Sequence, residues 1–236
     1  VNPDIGTDVL TSQLTMAGLE VDSTESARTI EGPVVVGQIL AVEAHPQADK
    51  LSVCGVKGHA EEIVQVVCGA FNARVGVKIP FAQAGSVLPG ELVIETTILR
   101  GVDSHGMLCS QKELGLGDDD TGLWELPGDA PVGQLLTQYL SLEDTIIEVD
   151  LTPNRGDCLS LKGLSREVGV LNKQPVREIE WIPIASSIKD KISIDLEIPH
   201  ASGRYVGRIL KDLDQSKGTP LWMREKLRRS GLRSLG

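Results

Sequence analysis

The hydrophobic and polar positions of this chain follow three rhythms in succession. The first is helical. Leu10, Leu14 and Ala17 recur at i, i+4 and i+7 and so share one helix face. Thr7 or Asp8 is placed to cap that helix, since either side chain can accept from a free amide of the first turn. Gly18 can adopt the positive φ that closes it. Leu19–Asp22 then alternates like a strand, and residues 23–32 are polar and read as a linker.

The second rhythm has period two. Residues 34–42 form a long run rich in Val and Ile, interrupted by Gly37. Runs at 51–56, 63–67, 75–82 and 92–99 follow, with Gly and Pro between them. Short strands so spaced predict a small barrel or sandwich. Residues 113–116 read as one turn of helix and 118–122 as an acidic loop.

The third rhythm is mixed. Residues 146–150 alternate as a strand. Asp157 is placed as an N-cap for a helix whose one face carries Leu161, Leu164, Val168 and Leu171 and which stops at 173–175. A linker is expected over 176–191, then two strands at 192–198 and 204–210. Thr219 and Pro220 open a last helix with Met223 and Leu227 inward, and Gly231 ends it.

A chain of 236 residues can bury a sizeable core and divide once. Its net charge of −10 hides an asymmetry: residues 1–36 carry −5, 37–150 carry −11 and 151–236 carry +6. Nucleic-acid affinity is largely phosphate neutralisation, so the strand-rich middle has the wrong sign for tight RNA binding and the tail has the right one. No apolar run approaches the roughly 18 residues of a membrane span, and no signal-peptide pattern is present. Cys54, Cys68, Cys109 and Cys158 form no CxxC pair, which points to buried free thiols in a reducing cytoplasm. The chain begins Val1-Asn2-Pro3 and stops just after a basic helix, so it is expected to be part of a longer polypeptide.

Candidate chemistry is sparse. His45 and Asp49 have the i, i+4 spacing of helix-borne metal ligands, but Pro46 opposes a regular helix there. The expected role of this segment is a barrel loop. The Asp118–Asp120 run puts Gly122 and Glu125 out of phase with a calcium loop. Ser104 and His105 are neighbours in a strand and point to opposite faces, so they make no nucleophile and base. Gly115-Leu116-Gly117 lacks the lysine and helix start of a phosphate loop. Arg224, Lys226, Arg228 and Arg229 give the last helix a basic face, open to solvent, RNA backbone or an acidic partner. No catalytic residue, metal ligand or cofactor-binding residue is assigned.

Four segments in order carry a resemblance. His45-Pro46-Gln47-Ala48-Asp49-Lys50-Leu51, Val67-Cys68-Gly69-Ala70-Phe71-Asn72, Ala84-Gly85-Ser86-Val87-Leu88-Pro89-Gly90 and Gly101-Val102-Asp103-Ser104-His105-Gly106-Met107-Leu108-Cys109-Ser110 resemble the tRNA-binding OB module. The flanks narrow this further. Gln13 to Val21, Thr152-Pro153-Asn154-Arg155-Gly156-Asp157-Cys158-Leu159-Ser160, Gly163 to Gly169, Arg204-Tyr205-Val206-Gly207-Arg208 and Thr219 to Arg224 look like the N-terminal part of the β subunit of bacterial phenylalanyl-tRNA synthetase. Phe71 departs from the pattern, standing where that family usually has Pro.

The resemblance implies an α+β, mostly β fold: a five-stranded OB barrel over 34–149, inserted into a small split α/β domain made of 1–33 and 150–190. Residues 191–236 would open an editing-type domain. It implies a non-catalytic recognition and structural part of a cytoplasmic α₂β₂ ligase that attaches phenylalanine to tRNA. ATP and Mg²⁺ would serve the whole enzyme, with the synthetase α subunit and tRNA as partners and neither DNA nor membrane. The competing class is a stand-alone OB-fold tRNA-binding or chaperone-like module. Single-strand OB binders pair a basic groove with aromatic platforms, and this barrel has only Phe71, Phe81, Trp124 and Tyr139. The residues expected to meet RNA, weakly, are Lys50, Asn72, Lys78, Arg100 and Ser110.

Overall fold

A computed structural model describes every residue except 61, 179, 199, 215, 217 and 236. The chain divides into two compact units. One joins residues 6–150 with 221–233; the other joins 1–5, 151–220 and 234–236. The boundaries expected from sequence cut the chain differently, at 33/34, 149/150 and 190/191.

The first unit opens with helix α1 (Thr7–Met16), which buries Leu14. Neither Thr7 nor Asp8 caps it: the N-cap is Gly6, with no side-chain bond. Gly18 takes φ +86° at its end, as the expected stop. Strand β1 (Glu20–Ser26) then pairs antiparallel with β11 (Thr145–Asp150), so the segments before and after the barrel meet.

Between them lies the barrel. Strands β2 (Val34–Ala44), β3 (Ser52–Lys57), β4 (Ile63–Cys68), β5 (Lys78–Ala82) and β10 (Met107–Leu108) form one antiparallel sheet in the order β10-β5-β2-β3-β4. The sheet curls until its two edges nearly meet. Beside β4, the His105 amide donates to the Gln65 carbonyl at 2.9 Å and the Gln65 side-chain amide to the Asp103 carbonyl at 2.8 Å. This is the OB-like barrel expected. The run expected as one strand at 92–99 is instead two fragments. β7 (Leu92–Val93) pairs with β6 (Val87–Leu88), and β8 (Thr97–Leu99) pairs with β9 (Val102–Ser104). Ile94 turns inward between them, its N–H and C=O taken by Ser86 and Gly85 backbone.

The unbroken Val34-Val35-Val36 run now has its reason. Successive side chains of a strand point to opposite faces, and here both faces are buried. Val35 and Ile39 face the barrel interior with Phe81, Ile79, Val56 and Cys54. Val34 and Val36 face an outer cluster with Leu88, Trp124, Leu126 and Leu136. Gly37 does not break β2. A Cβ there would lie 2.8 Å from Phe81 Cβ and 3.0 Å from Ile79 Cδ1, so only a glycine lets the strands pass this closely.

The short helix α2 (Leu136–Tyr139) adds Leu136 to the outer cluster. Helix α4 (Leu221–Arg229) completes this unit, ended by Gly231 at φ +68°. Its expected inward face is corrected. Met223 is exposed and Leu227 half-buried, while Leu221 packs on the outer cluster and Glu225 is the buried residue. Glu225 is buried because Arg228 and Arg229 both pair with it, at 2.9 and 3.7 Å.

In the second unit a 3₁₀ turn (Pro153–Cys158) leads into α3 (Leu161–Leu171). Asp157 is not its N-cap. Ser160 is, its side chain accepting from the Gly163 amide at 3.1 Å. Asp157 lies in the 3₁₀ turn and pairs with Arg155. The strands expected at 192–198 and 204–210 do not form among the described residues. Ile192, Ile194 and Ile198 are exposed there, with no ladder to fix them. No described helix is long and apolar enough to cross a membrane.

Candidate nucleic-acid interface

The two signature ends of the barrel come together through one histidine. In the 45–51 loop the Gln47 amide donates to His45 Nδ1 at 3.1 Å. That nitrogen must therefore be unprotonated, so Nε2 carries the hydrogen and donates to the Leu99 carbonyl at 3.1 Å. His45 is buried and clamps its loop to the end of β8. Sequence alone placed His45 in a barrel loop, with a metal-ligand spacing weighed and set aside; its partner lies 54 residues away, so no local pattern could have shown the clamp.

The clamp brings the loop carrying Lys50 beside the turn carrying Arg100. The turn between β8 and β9 is Arg100-Gly101, with φ of +48° and +83°, the two positive values of a tight twisted hairpin. Gln47 lies against Gly101, 3.7 Å from where a Cβ would be. Both Lys50 and Arg100 are exposed, and neither has an acid or carbonyl partner among the described residues.

The other three expected residues are occupied. Lys78 is half-buried at the start of β5 and donates to the Ala130 carbonyl at 2.6 Å. Asn72 uses both ends of its amide on Leu123, accepting from its N–H at 2.9 Å and donating to its carbonyl at 3.0 Å. Ser110 is buried; its hydroxyl and amide both donate to Glu113 Oε2, at 2.8 and 2.7 Å. These side chains hold loops in place. The structure thus brings two of the five near one another on the surface and gives three to internal bonds.

Around Asn72, Arg74 forms a two-pronged bond to Glu125 at 2.5 and 2.7 Å. That guanidinium, with Asn72 adding a bond, holds the Glu125 carboxyl below the usual carboxylate range against the opposing effect of burial. Beside this staple a groove of about 680 Å³ runs between Val67–Phe71, β10 and residues 120–123. Its ionic groups are Lys112, Asp120 and Glu113, and the first two pair at 2.5 Å. Phe71 stands 83% exposed at its edge. Phe81 and Trp124 are buried in the two cores and Tyr139 is half-buried against the outer one, so Phe71 is the one barrel aromatic with a free face.

The basic face of α4 is spent within its own unit. Arg229 donates to the Leu140 carbonyl at 2.6 Å and pairs with Asp144 at 3.1 Å, and Arg224 donates to Gln111 at 3.1 Å. Lys226 lies 5.8 Å over the Trp222 ring. In the other unit Asp157, Cys158 and Glu167 bring potential metal-ligand atoms within 4.8 Å of one another. The Arg155 guanidinium already fills that space, 3.0 Å from both Glu167 and the Cys158 sulfur. It is the cation the cluster is built around.

The sequence family described as a putative tRNA binding domain matches residues 34–135, which contain the whole five-stranded sheet. Over its full length the chain is 52% identical to the phenylalanine–tRNA ligase β subunit of Methylococcus capsulatus, 51% to that of Idiomarina loihiensis and 47% to that of Coxiella burnetii. It spans about 30% of the length of each. Among solved structures, the C-terminal domain of Plasmodium vivax p43 covers 32% of this chain and 43% of its own, at 22% identity and a TM-score of 0.27, which supports no argument. With the barrel motifs and both flanks accounted for by one set of relatives, the chain is similar over its full length to the N-terminal region of phenylalanine–tRNA ligase β subunits.

Proposed function

We propose that this chain is a non-catalytic recognition and structural region of phenylalanine–tRNA ligase. The observation that carries the reading is the full-length identity to ligase β subunits, with the tRNA-binding module set inside it. In this reading the whole enzyme is a cytoplasmic α₂β₂ assembly. Its chemistry belongs to the α subunit, which uses ATP and Mg²⁺. Residues 1–33 and 150–190 form one small domain around the inserted barrel, and residues 191–236 open an editing-type domain.

Within that assembly the barrel meets tRNA weakly. Residues 37–150 carry −11, and of the five residues nominated from sequence only Lys50 and Arg100 have free charge to offer a phosphate. Two contacts give a salt slope of about −1.4 to −1.8 and an affinity on the order of 10⁻⁴–10⁻⁶ M, the range of non-specific binding. Asn72, Lys78 and Ser110 contribute only by fastening other loops of the barrel, at residues 123, 130 and 113.

The test is a filter-binding titration of tRNA against the full chain. At about 150 mM salt the expected dissociation constant lies in that micromolar range. Lys50→Ala with Arg100→Ala should abolish the binding, and Lys78→Ala should act through stability instead. Nanomolar affinity, or an undiminished affinity in the double variant, overturns this interface. Phenylalanine-dependent pyrophosphate exchange by the pure chain would overturn the non-catalytic assignment.

A further inference from the structure

The loop of residues 45–51 is closed on itself. Across its neck the His45 amide donates to the Leu51 carbonyl at 3.1 Å, and the Leu51 amide donates back into the loop, to the Ala48 carbonyl, at 3.0 Å. Within this frame the Gln47 amide is tied to His45 Nδ1. The Gln47 side chain reaches toward the turn between β8 and β9. Its Oε1 and Nε2 are the heavy atoms nearest to where a Gly101 Cβ would stand, at 3.7 and 3.8 Å. Gln47 is exposed, and among the described residues neither side-chain atom has a hydrogen-bond partner. A carboxamide free at both ends therefore lies at the seam between the loop that carries Lys50 and the turn that carries Arg100.

The charges at this seam are few. Lys50 and Arg100 stand against Asp49, the one acid of the loop and the turn, which leaves a net charge of +1. Phosphate attraction is weak at such a charge, so a single neutral hydrogen bond makes up a measurable share of the binding. The two neutral side chains expected to meet RNA cannot supply that bond. Asn72 spends its amide on Leu123, and the Ser110 hydroxyl is given to Glu113. Gln47 can, since its amide offers both a donor and an acceptor. A nucleic-acid strand alternates phosphate with sugar, so a strand whose phosphates reach Lys50 and Arg100 brings sugar to the seam. In RNA that sugar carries a 2′-hydroxyl, itself donor and acceptor, which DNA lacks.

We propose that Gln47 is a specificity-determining residue of this interface. Its side-chain amide hydrogen-bonds a ribose 2′-hydroxyl of the strand whose phosphates meet Lys50 and Arg100, so the seam takes RNA in preference to DNA. His45 acts through it as a positioning residue: Nδ1 holds the Gln47 amide while Nε2 holds the Leu99 carbonyl, which fixes the loop against the turn. The inference rests on the two-cation reading of the barrel and names the sugar chemistry which that reading leaves open.

The test is a fluorescence-anisotropy titration of the full chain with oligouridylate and with oligodeoxyuridylate of the same length. The two probes differ in the 2′-hydroxyl alone, and salt of about 50 mM keeps weak binding measurable. The wild type should bind the ribo form roughly 2–10-fold more tightly, the worth of one neutral hydrogen bond. Gln47→Met keeps the length of the side chain and its packing on Gly101 but has no amide. It should bind both probes alike, at the wild-type affinity for the deoxy form. Its salt slope should be unchanged, because both phosphate contacts remain. Equal wild-type affinity for the two probes overturns the proposal, as does a ribose preference that survives in Gln47→Met. So does a Gln47→Met chain that loses affinity for both probes together with a flattened salt slope, the mark of a residue that only props the loop. Lys50→Ala with Arg100→Ala separates this failure from failure of the interface. Undiminished oligouridylate binding in that variant overturns the interface and the proposal together. Abolished binding there, beside an unchanged preference in Gln47→Met, overturns the proposal alone.

Discussion

Residues 34–39, a nearly continuous valine run, and 192–198, an alternating isoleucine and leucine pattern, both read as strands and end in opposite states. In β2, Val34, Val35, Val36 and Ile39 are all at most 1% exposed. In the second stretch Ile192, Ile194 and Ile198 are 71, 46 and 54% exposed and form no ladder. The difference is the neighbour. β2 pairs on one side with β3 and on the other with β5, and both its faces are covered. Alternation states which side chains share a face; it does not supply the strand alongside. An isolated strand gains too little to offset its ordering entropy.

The largest expected contrast is in hydrogen exchange. Core amides such as those of Val36, Ile39 and Val56 should exchange only through global opening. With a domain stability of at least about 5 kcal/mol, they should be protected by a factor on the order of 10³–10⁴ or more over amides of 192–198. Comparable protection in the two stretches would erase the distinction and restore the expected strands.

Next in size is a pair of truncations read by urea unfolding of the barrel. Phe81 is wholly buried against Val35 and Gly37, and Phe81→Ala should cost about 3–5 kcal/mol. Ile194→Ala removes an exposed side chain and should stay within about 0.5 kcal/mol. Asn72→Ala falls between. It orphans the Leu123 amide and carbonyl, a loss of about 1–3 kcal/mol. A Phe81→Ala barrel as stable as the wild type would mean that its core is not the one described.

These cases show what the sequence could reveal. The barrel was legible because period-two runs, glycines and four ordered motifs agree. The fate of its polar residues was not. Asn72 meets Leu123 51 residues on, Lys78 meets Ala130 52 residues on, and His45 meets Leu99 54 residues on. No local spacing encodes such meetings, so side chains that fold into internal bonds look like free RNA contacts. Caps failed for the opposite reason. Thr7 and Asp157 are competent caps by type, but the chain turns at Gly6 and Ser160, one residue before α1 and α3 begin. The basic tail was legible as charge, and Glu225 stands at i,i+3 and i,i+4 spacing from Arg228 and Arg229, while the partner Asp144 shows only in three dimensions.

The smallest expected effect sharpens the comparison at the surface. Arg74 holds the Glu125 carboxyl below its ordinary value in the folded chain. A depressed folded value means that the stabilisation is fully present above the unfolded carboxylate value and is lost as pH falls through the folded one. Glu125→Gln should therefore lower the melting temperature slightly at pH 7. The gap to wild type should close as pH falls from about 5 toward 3, below the ordinary carboxylate range. It should also shrink in high salt, since the two side chains are 57 and 41% exposed and such pairs are screened. The control is the Asp190–Lys211 pair of the irregular region. Asp190→Asn should leave the barrel's melting unchanged at every pH, because that pair lies outside the cooperative core. If the two variants behave alike, the staple beside the groove adds nothing that a loose surface pair does not. If only Glu125→Gln shows a gap that closes with acid, the 72–74 turn is fastened to the barrel by charge as well as by the Asn72 amide.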